Sequence, residues 1–402
     1  MAKQPKIRFK GFTEEWKDTP LGQLVKERRV SNQVVHHQNL LSLSYGKIVR
    51  RNINANKGLL PASFDTYQII DKATIVFRVT DLQNDKKSLR VAISDEEGII
   101  SPAYVCVDTT SDEITASFLH QILHYHDVIT KIYYKMGDGL RQTLDYADLK
   151  SLNIVYPKPN EQKAITDFFG SLDASITNRE SELEKLKNIK RALLEKLFPQ
   201  DGQSTPAIRF KGFVDKWEPK VLGNEIEETG TKNRNNLPLE SYSITNEAGF
   251  IPQTEKFENG GYLTDADKTM YTIVPPKSFA YNPARINVGS IGYYNGSKDV
   301  IVSSLYIVFK TSEAIHDDFL MAWFKSDIFN HLIYKLQEGG VRQYFFYDKI
   351  VQCPILLPKN PEQEKIAQLV NSLNKTISLR EQQLTLLKHS MQALLEQMFV
   401  NA

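Results

Sequence analysis

At 402 residues, with 41% hydrophobic and 24% charged content, the chain is long enough to build two cores of ordinary size. No run approaches the ~18 consecutive apolar residues of a spanning helix, and the opening MAKQPKIRFKGF lacks an apolar signal region, so a cytoplasmic protein without a membrane partner is expected. The net charge of +2 excludes a global field for a polyanion: residues 1–160 carry 22 Lys+Arg against 18 Asp+Glu, and residues 207–360 carry 17 against 18. Any nucleic-acid surface must therefore be a local cluster, most of all in the second half.

The chain opens on IRFKGFTEEW, residues 7–16, followed by Leu21-Gly22. Short apolar runs then alternate with Gly, Pro and Asn punctuation, LLSLSY, TIVFRV and YVCV, and read as strands of a mixed sheet. A helix is expected around Ile114 to Met136. The chain next turns through Gly139-x-Arg141-Gln142, forms a last strand, LNIVYP, and enters a long segment, 161–198, after Pro157. A short polar linker, PQDGQSTP at 199–206, ends that segment. The order of parts then begins again: IRFKGFVDKW at 208–217, Leu222-Gly223, the strands SYSIT, YTIV and VIVSSLYIVF, and a helix around Asp317 to Leu336. Gly340-x-Arg342-Gln343, the strand CPILLP and a second long segment, 362–399, complete it.

One module is thus written twice at an offset of 201, and what is copied differs from what is not. The two long segments share 16 of 38 positions, whereas residues 46–110 and 247–311 align poorly, with the register slipping to 202 at Ser101/Ser303 and Tyr104/Tyr306. A fixed frame holding two divergent inserts suggests two different readers on a common mount. Alternating steps of four and three from Ile165 pass through Leu172, Ile176, Arg179, Leu183 and Leu186, with 8 of 10 positions apolar. The second copy passes through Leu373, Ile377, Arg380, Leu384 and Leu387, with 9 of 10 apolar. These are heptad seams, which two helices most simply bury against each other. If residues 161–198 and 362–399 overlap fully and antiparallel, Arg179 and Arg380 meet near the midpoint.

Chemistry for an enzyme is missing. GYYNGSK, at 292–298, has too few residues between its glycines for a phosphate-binding loop. Asn282-Pro283-Ala284-Arg285 lacks the second proline and the aromatic of an amino-methyltransferase tetrapeptide. His120, His124 and His126 could set two imidazoles one helical turn apart, but without a third ligand or a nearby catalytic Glu they read as surface or structural histidines, and no metal is expected. Cys106 and Cys353, in apolar strand-like contexts, read as buried free thiols.

Two divergent mixed bodies, each closing in Gly-x-Arg-Gln, a Pro-terminated strand and an EQ-initiated heptad helix, resemble the DNA specificity subunits of type I restriction-modification enzymes over essentially the whole chain. The resemblance implies an α/β (α+β) fold: two similar target recognition domains in tandem, 1–160 and 207–360, each followed by a long helix, 161–198 and 361–402, with 199–206 as linker. It implies that the helices form an antiparallel coiled coil with pseudo-two-fold symmetry and dock two methyltransferase subunits, restriction/translocase subunits joining them. Each body would read one half of a bipartite double-stranded DNA site. S-adenosylmethionine, ATP and Mg would sit on those partners, this chain being non-catalytic and binding none. The alternative is a bipartite scaffold or a stand-alone DNA-binding protein.

Base edges are read by side chains that must change when the sequence changes, whereas phosphate contacts carry no sequence information. The divergent polar stretches are therefore the candidates. In the first body these are Gln83, Asn84, Lys86, Lys87 and Arg90 from TDLQNDKKSLR, with Lys47, Arg50 and Arg51 after Tyr45-Gly46. In the second they are Asn282, Arg285 and Asn287, with Tyr293, Tyr294, Asn295 and Lys298 on a Gly-rich loop, and Lys232 and Arg234. Arg141, Gln142, Arg342 and Gln343, kept in both halves, read as phosphate contacts or as anchors of the frame.

Overall fold

The computed structural model describes residues 4–54, 60–80, 89–136, 143–200, 202–246, 249–256, 267–336 and 344–400. The chain divides into two compact units, Met1–Glu180 with Gln383–Ala402, and Ser181–Gln382.

In the first unit, short apolar runs fold the chain back on itself as a four-stranded sheet in the order Val25–Glu27, Tyr104–Thr109, Ile75–Arg78, Val91–Ile93. A hairpin, Leu41–Ser44 with Lys47–Arg50, and the pair Gln68–Ile70 with Gly98–Ile100 flank it, and Lys17–Pro20 pairs with Asn153–Tyr156. Trp16, Phe77, Phe118 and Tyr133 lie in the main core. The helix expected over 114–136 is broken. An α-helix, Ala116–Tyr125, capped by the Thr115 side chain on Phe118 N–H, runs into a π turn, His126–Thr130, and stops at Lys131, whose φ of 55° is left-handed. A short helix, Ile132–Met136, follows.

The second unit repeats the plan: a four-stranded sheet ordered Ile226–Glu228, Ile307–Thr311, Ser278–Tyr281, Ile291–Tyr294, a hairpin Tyr242–Thr245 with Gly249–Pro252, and Glu218–Val221 paired with Pro354–Leu357. Its helical region is also two pieces, Asp317–Phe324 and Asp327–Leu336. The expected run VIVSSLYIVF is two strands, because the turn in which Tyr306 N–H bonds Ser303 C=O interrupts it; Tyr104 and Ser101 make the same turn in the first unit, at the shifted register. The ladders described in both units are antiparallel rather than mixed, with parallel pairing confined to the isolated bridges Leu40–Ile99 and Ser241–Ile301.

The copied residues hold each unit's frame together. Arg8 donates Nε and Nη2 to the two carboxylate oxygens of Glu161 (2.6 and 2.7 Å), and Arg209 does the same to Glu362 (2.7 and 2.7 Å). Buried Gln162 accepts the Thr115 N–H and donates to the Glu113 and Pro157 carbonyls; Gln363 accepts the His316 N–H and donates to Ala314 and Pro358. The EQ dipeptide thus bolts the start of a long helix to its own body. Both free cysteines are buried, as the sequence suggests, and burial pushes each thiol up to about 12.

The two long helices, Pro159–Leu197 and Asn360–Met398, pair antiparallel within each unit. In the first, Phe169 meets Phe399 (centroids 5.7 Å apart) and Glu180 meets Lys388 (2.7 Å), so the chain rises on one helix as it falls on the other. In the second, Lys187 meets Glu381 (2.7 Å), and Leu194, Leu197 and Phe198 share a core with Ile366, Ala367 and Val370. This register corrects the midpoint expectation. Arg179 stands level with His389 and Arg380 with Asn188, and Arg380 is exposed. The cause is that the first two turns of each helix are committed to its own body through Glu161, Gln162 and Ile165, or Glu362, Gln363 and Ile366. Helix-on-helix pairing begins only beyond them.

Each unit's core is closed by an aromatic from the end of the long helix of the other repeat. Phe399 stacks on Tyr125 (5.4 Å) and lies 6.1 Å from Phe118; Phe198 lies 5.4 Å from Phe319 and 6.3 Å from Trp217. Next to them the Ile7 N–H bonds the Gln397 carbonyl and the Ile208 N–H the Lys196 carbonyl, both at 3.0 Å. The repeated IRFKGF segment is therefore the strap over a helix end.

Candidate functional site

In both units one connection carries the divergent polar residues. In the first it joins Ile75–Arg78 to Val91–Ile93, where Phe77 pairs with Val91 and the Arg78 N–H bonds Arg90 C=O. In the second it joins Ser278–Tyr281 to Ile291–Tyr294, where Tyr281 pairs with Ile291 and the Asn282 N–H bonds Ser290 C=O. Register alone makes Arg90 the counterpart of Ser290 and Leu89 the counterpart of Gly289. A third strut is shared: the Leu144 N–H bonds Val79 C=O, and the Phe345 N–H bonds Pro283 C=O (2.9 and 3.0 Å). TDLQNDKKSLR and NPARINVG, with nothing in common as sequences, are hung from the same points.

The hairpin turn abuts this connection in both units, with the glycine on opposite sides of the contact. In the first, Gly46 (φ +74°) faces Leu89, and a Cβ on Gly46 would lie 2.7 Å from Leu89 Cδ1; in the second, Gly289 (φ +86°) faces Asn246, and a Cβ on Gly289 would lie 2.0 Å from Asn246 Oδ1. Each close approach needs a residue without a side chain in a left-handed conformation. The hairpin turn brings exposed Lys47 to the first connection, whereas Arg50 and Arg51, also exposed, lie at the hairpin's open end, where the Arg51 N–H bonds Leu40 C=O. Arg50 is already paired with Glu96 at 2.5 Å, and its hydrogen bond holds that carboxyl below its ordinary value.

Loop 282–290 is tied down by its own hydrogen bonds and faces outward. Pro283 and Ile286 are buried beneath it, Asn282 Oδ1 accepts the Ala284 N–H, and Ser290 Oγ donates to Ile244 C=O. Arg285 and Asn287 are left exposed with Val288 between them and Gly289. This is a rigid mount for two polar side chains, one suited to a guanine edge and one to an adenine edge.

The structure scatters the other candidates. Arg90 is 1% exposed and donates Nη1 to Thr80 C=O at 2.8 Å, so it braces the root of the first connection instead of projecting from it. Tyr293 and Tyr294 are on a strand, not on a Gly-rich loop, because their segment pairs with Ser278–Tyr281. Tyr294 is buried and donates to Lys298 C=O, and Tyr293 donates to Asp317 at 2.6 Å. Asn295 and Lys298 lie past the end of that strand away from loop 282–290. Tyr293 and Asn295 line an open cleft of about 430 Å³ with Glu313, Asp317, Asp318 and Glu364, whose carboxylates repel a phosphate backbone. Lys232 is exposed and donates to Thr272 Oγ1 (3.0 Å) and Ser304 C=O (3.3 Å), and Arg234 is exposed nearby. Gln83, Asn84, Lys86, Lys87, Arg141, Gln142, Arg342 and Gln343 lie outside the described residues.

His120, His124 and His126 are pushed down to about 3, 4 and 4, chiefly by burial, and are neutral at pH 7. Among the described residues no three His, Cys, Asp or Glu side chains are grouped to hold a metal, and no helix is long and apolar enough to cross a membrane.

Two residues that the sequence did not single out stand at the roots of the connections. Asp127, in the π turn, accepts the backbone N–H groups of Arg90 and Val91; Lys325, at the end of helix Asp317–Phe324, donates to Gly289 C=O, Asn246 C=O and Asn246 Oδ1.

Comparison with known proteins gives these edges a context. Residues 13–188 match the family described as type I restriction modification DNA specificity domain. Among solved structures the chain is similar to the type I restriction-modification system S subunit from M. genitalium, with 14% identity, a TM-score of 0.62, and 99% of this chain and 100% of that one covered. A structure described as showing complex assembly and conformational transition of the type I R-M system follows at 13% identity, a TM-score of 0.53, and 95% and 96% coverage. At such identity these two likenesses speak to fold alone.

Proposed function

We propose that this chain is a type I restriction-modification DNA specificity subunit that reads a split double-stranded DNA site, one half with the hairpin turn at residues 45–47 and the connection between Arg78 and Val91, the other with loop 282–290. The observation that carries this reading is that two unlike polar segments hang from the same strands and struts in two like bodies. A shared mount with unlike readers suits a site whose halves differ. Residues 1–160 and 207–360 act as the target recognition domains, residues 161–198 and 361–402 as a pseudo-two-fold antiparallel coiled coil, and 199–206 as the linker.

The chain is the non-catalytic recognition subunit. It directs two methyltransferase subunits and the restriction/translocase subunits to the site, S-adenosylmethionine, ATP and Mg being held by those partners. Arg285 and Asn287 contact bases in the second half-site, Lys47 contacts the first with Arg51 farther along its hairpin, and Arg141 and Arg342 contact phosphates or anchor the frame.

Exchange of residues 282–289 for the matching segment of a relative tests this. The methylated motif of a host carrying the exchanged chain should change in one half and keep the other. A continuous motif, or one altered in both halves, would refute the split reading; absence of any salt-sensitive DNA binding would favour a scaffold.

A further inference from the structure

We infer that Asp127 and Lys325 are positioning residues for recognition, each tying the root of its unit's reading connection to the end of that unit's body helix, with opposite chemistry in the two units. The inference rests on the reading of those connections as DNA readers and adds what holds them in place.

The two ties occupy matching places. Asp127 follows helix Ala116–Tyr125 and Lys325 follows helix Asp317–Phe324; these helices occupy the same position in the order of elements, and Phe118 and Phe319 within them are related by the offset of 201. Asp127 reaches the point where the first connection re-enters the sheet, taking the N–H groups of Arg90 and Val91 on Oδ2. Its second oxygen, Oδ1, is buried without a hydrogen-bond partner among the described residues. Lys325 Nζ reaches the corresponding point in the second unit, 2.9 Å from Gly289 C=O, 3.1 Å from Asn246 C=O and 3.3 Å from Asn246 Oδ1. It joins reading loop and hairpin turn at their closest approach, where no side chain fits on Gly289. An acid gathers donors in one unit and a base gathers acceptors in the other. A charged group that bonds several backbone groups is stronger than a neutral contact, so each root is fixed while the residues beyond it are free to differ.

A base-reading side chain must be held within a fraction of an ångström of its productive geometry, and rigid support supplies that. Loosening a root should therefore blur one half-site and spare the other, while amide exchange in the sheet strands of the same unit stays as in the wild type, which destabilisation of that unit would not leave unchanged. The full chain is offered a duplex library randomised across the site, and bound sequences are read out. Lys325→Met should reduce discrimination at the half-site read by loop 282–290 about tenfold, leaving the other unchanged, and Lys325→Arg, which keeps charge and donors, should restore most of it. Asp127→Asn, which keeps shape and one acceptor oxygen, should do the same at the other half-site; its intact partner half-site shows the chain is folded. Equal loss at both half-sites, or no loss at either, would overturn the inference. Exchange of residues 282–289 runs in parallel. If that exchange changes no base preference, the reading assignment itself falls and the inference with it. If it does change the preference while Lys325→Met does not, only the tie is wrong.

Discussion

Arg8 and Glu161 form a two-pronged ion pair across 153 residues of sequence, and the same geometry recurs between Arg209 and Glu362. Glu161 is 2% exposed and Arg8 13%, so removing the arginine strands a carboxylate with no water to solvate it. Arg8→Ala should destabilise the first unit by about 3 kcal/mol, the low end of the range for breaking a buried pair because Arg8 reaches the rim. Arg209→Ala should do the same to the second. Replacing the pair together, Arg8→Met with Glu161→Gln, should cost less than Arg8→Ala alone. Denaturant unfolding of the three variants, followed by the tryptophans of each unit, decides it; a double variant less stable than the single would show that the charges themselves stabilise.

The pH response separates stability from recognition. Burial, opposed by the N–H bonds from Arg90 and Val91 and by the nearby charges of Lys131 and Arg90, pushes Asp127 up from 3.8 to about 6. The folded chain then holds a proton that the unfolded chain has released. The contribution of this group to stability is fully present below about pH 4 and is lost as pH rises through 6, on the order of 2–3 kcal/mol. Tyr133, buried beside it, stays neutral throughout. Lys325 runs the other way: burial, then the charge of Lys190, pushes it down from 10.5 to about 8, so its contribution to stability rises as pH climbs from 8 towards 10.5. Yet the bonds to the roots are strongest when both groups are charged. Discrimination should thus fall at the first half-site below pH 6 and at the second above pH 8, in ranges where these groups favour folding. Unfolding free energy against pH for the wild type and Asp127→Asn checks the first limb. Curves of equal slope between pH 4 and 6 would show that Asp127 is not raised.

Much of the frame could be read from the sequence, because duplication exposes it: the offset of 201 marks Arg8 and Arg209, Glu161 and Glu362, Gln162 and Gln363 before any contact is known. The heptad spacing likewise gave away two long helices. Their register did not follow, since it depends on how many turns each helix spends on its own body, a tertiary fact carried by Ile165 and Ile366. Arg90 sits in a basic run and looks exposed; only the fold shows it folded under to Thr80. Tyr293 and Tyr294 lie among glycines and asparagine that mimic a loop, and pairing with Ser278–Tyr281 overrides that local signal. Asp127 and Lys325 carry no local signal, for a charged residue at a helix end is by default a solvated one.

The exposed basic residues of the first unit's hairpin should differ in their worth to DNA binding. Lys47 and Arg51 have no carboxylate in hydrogen-bond contact among the described residues, while Arg50 is neutralised by Glu96. Removing one cation from a phosphate reduces the slope of log affinity against log salt by about 0.9. Lys47→Ala and Arg51→Ala should each flatten the slope by that amount, and Arg50→Ala by much less. Binding titrations over a range of salt give the three slopes directly. Equal slopes would mean that Glu96 releases Arg50 when DNA arrives.

Phe399 belongs to the second repeat in sequence but fills the core of the first unit. It packs on Tyr125, Phe118 and Phe169, is 4% exposed, and sits two residues beyond Gln397, whose carbonyl accepts the Ile7 N–H. Cutting a buried aromatic back to a methyl leaves a cavity that the rigid rings around it cannot fill, at about 3–5 kcal/mol. Phe399→Ala should therefore destabilise the first unit and weaken recognition of the half-site read by that unit, leaving the half-site read by loop 282–290 intact. Phe198→Ala should have the mirror effect through Phe319 and Trp217. The outcome runs against sequence order, because in each case the variant lies on the long helix of one repeat and the damage appears in the unit of the other. Hydrogen exchange resolves it: faster exchange confined to Tyr104–Thr109 and Ala116–Tyr125 in Phe399→Ala is expected, and faster exchange in the strands of the second unit would show that the helix ends do not serve the cores they touch.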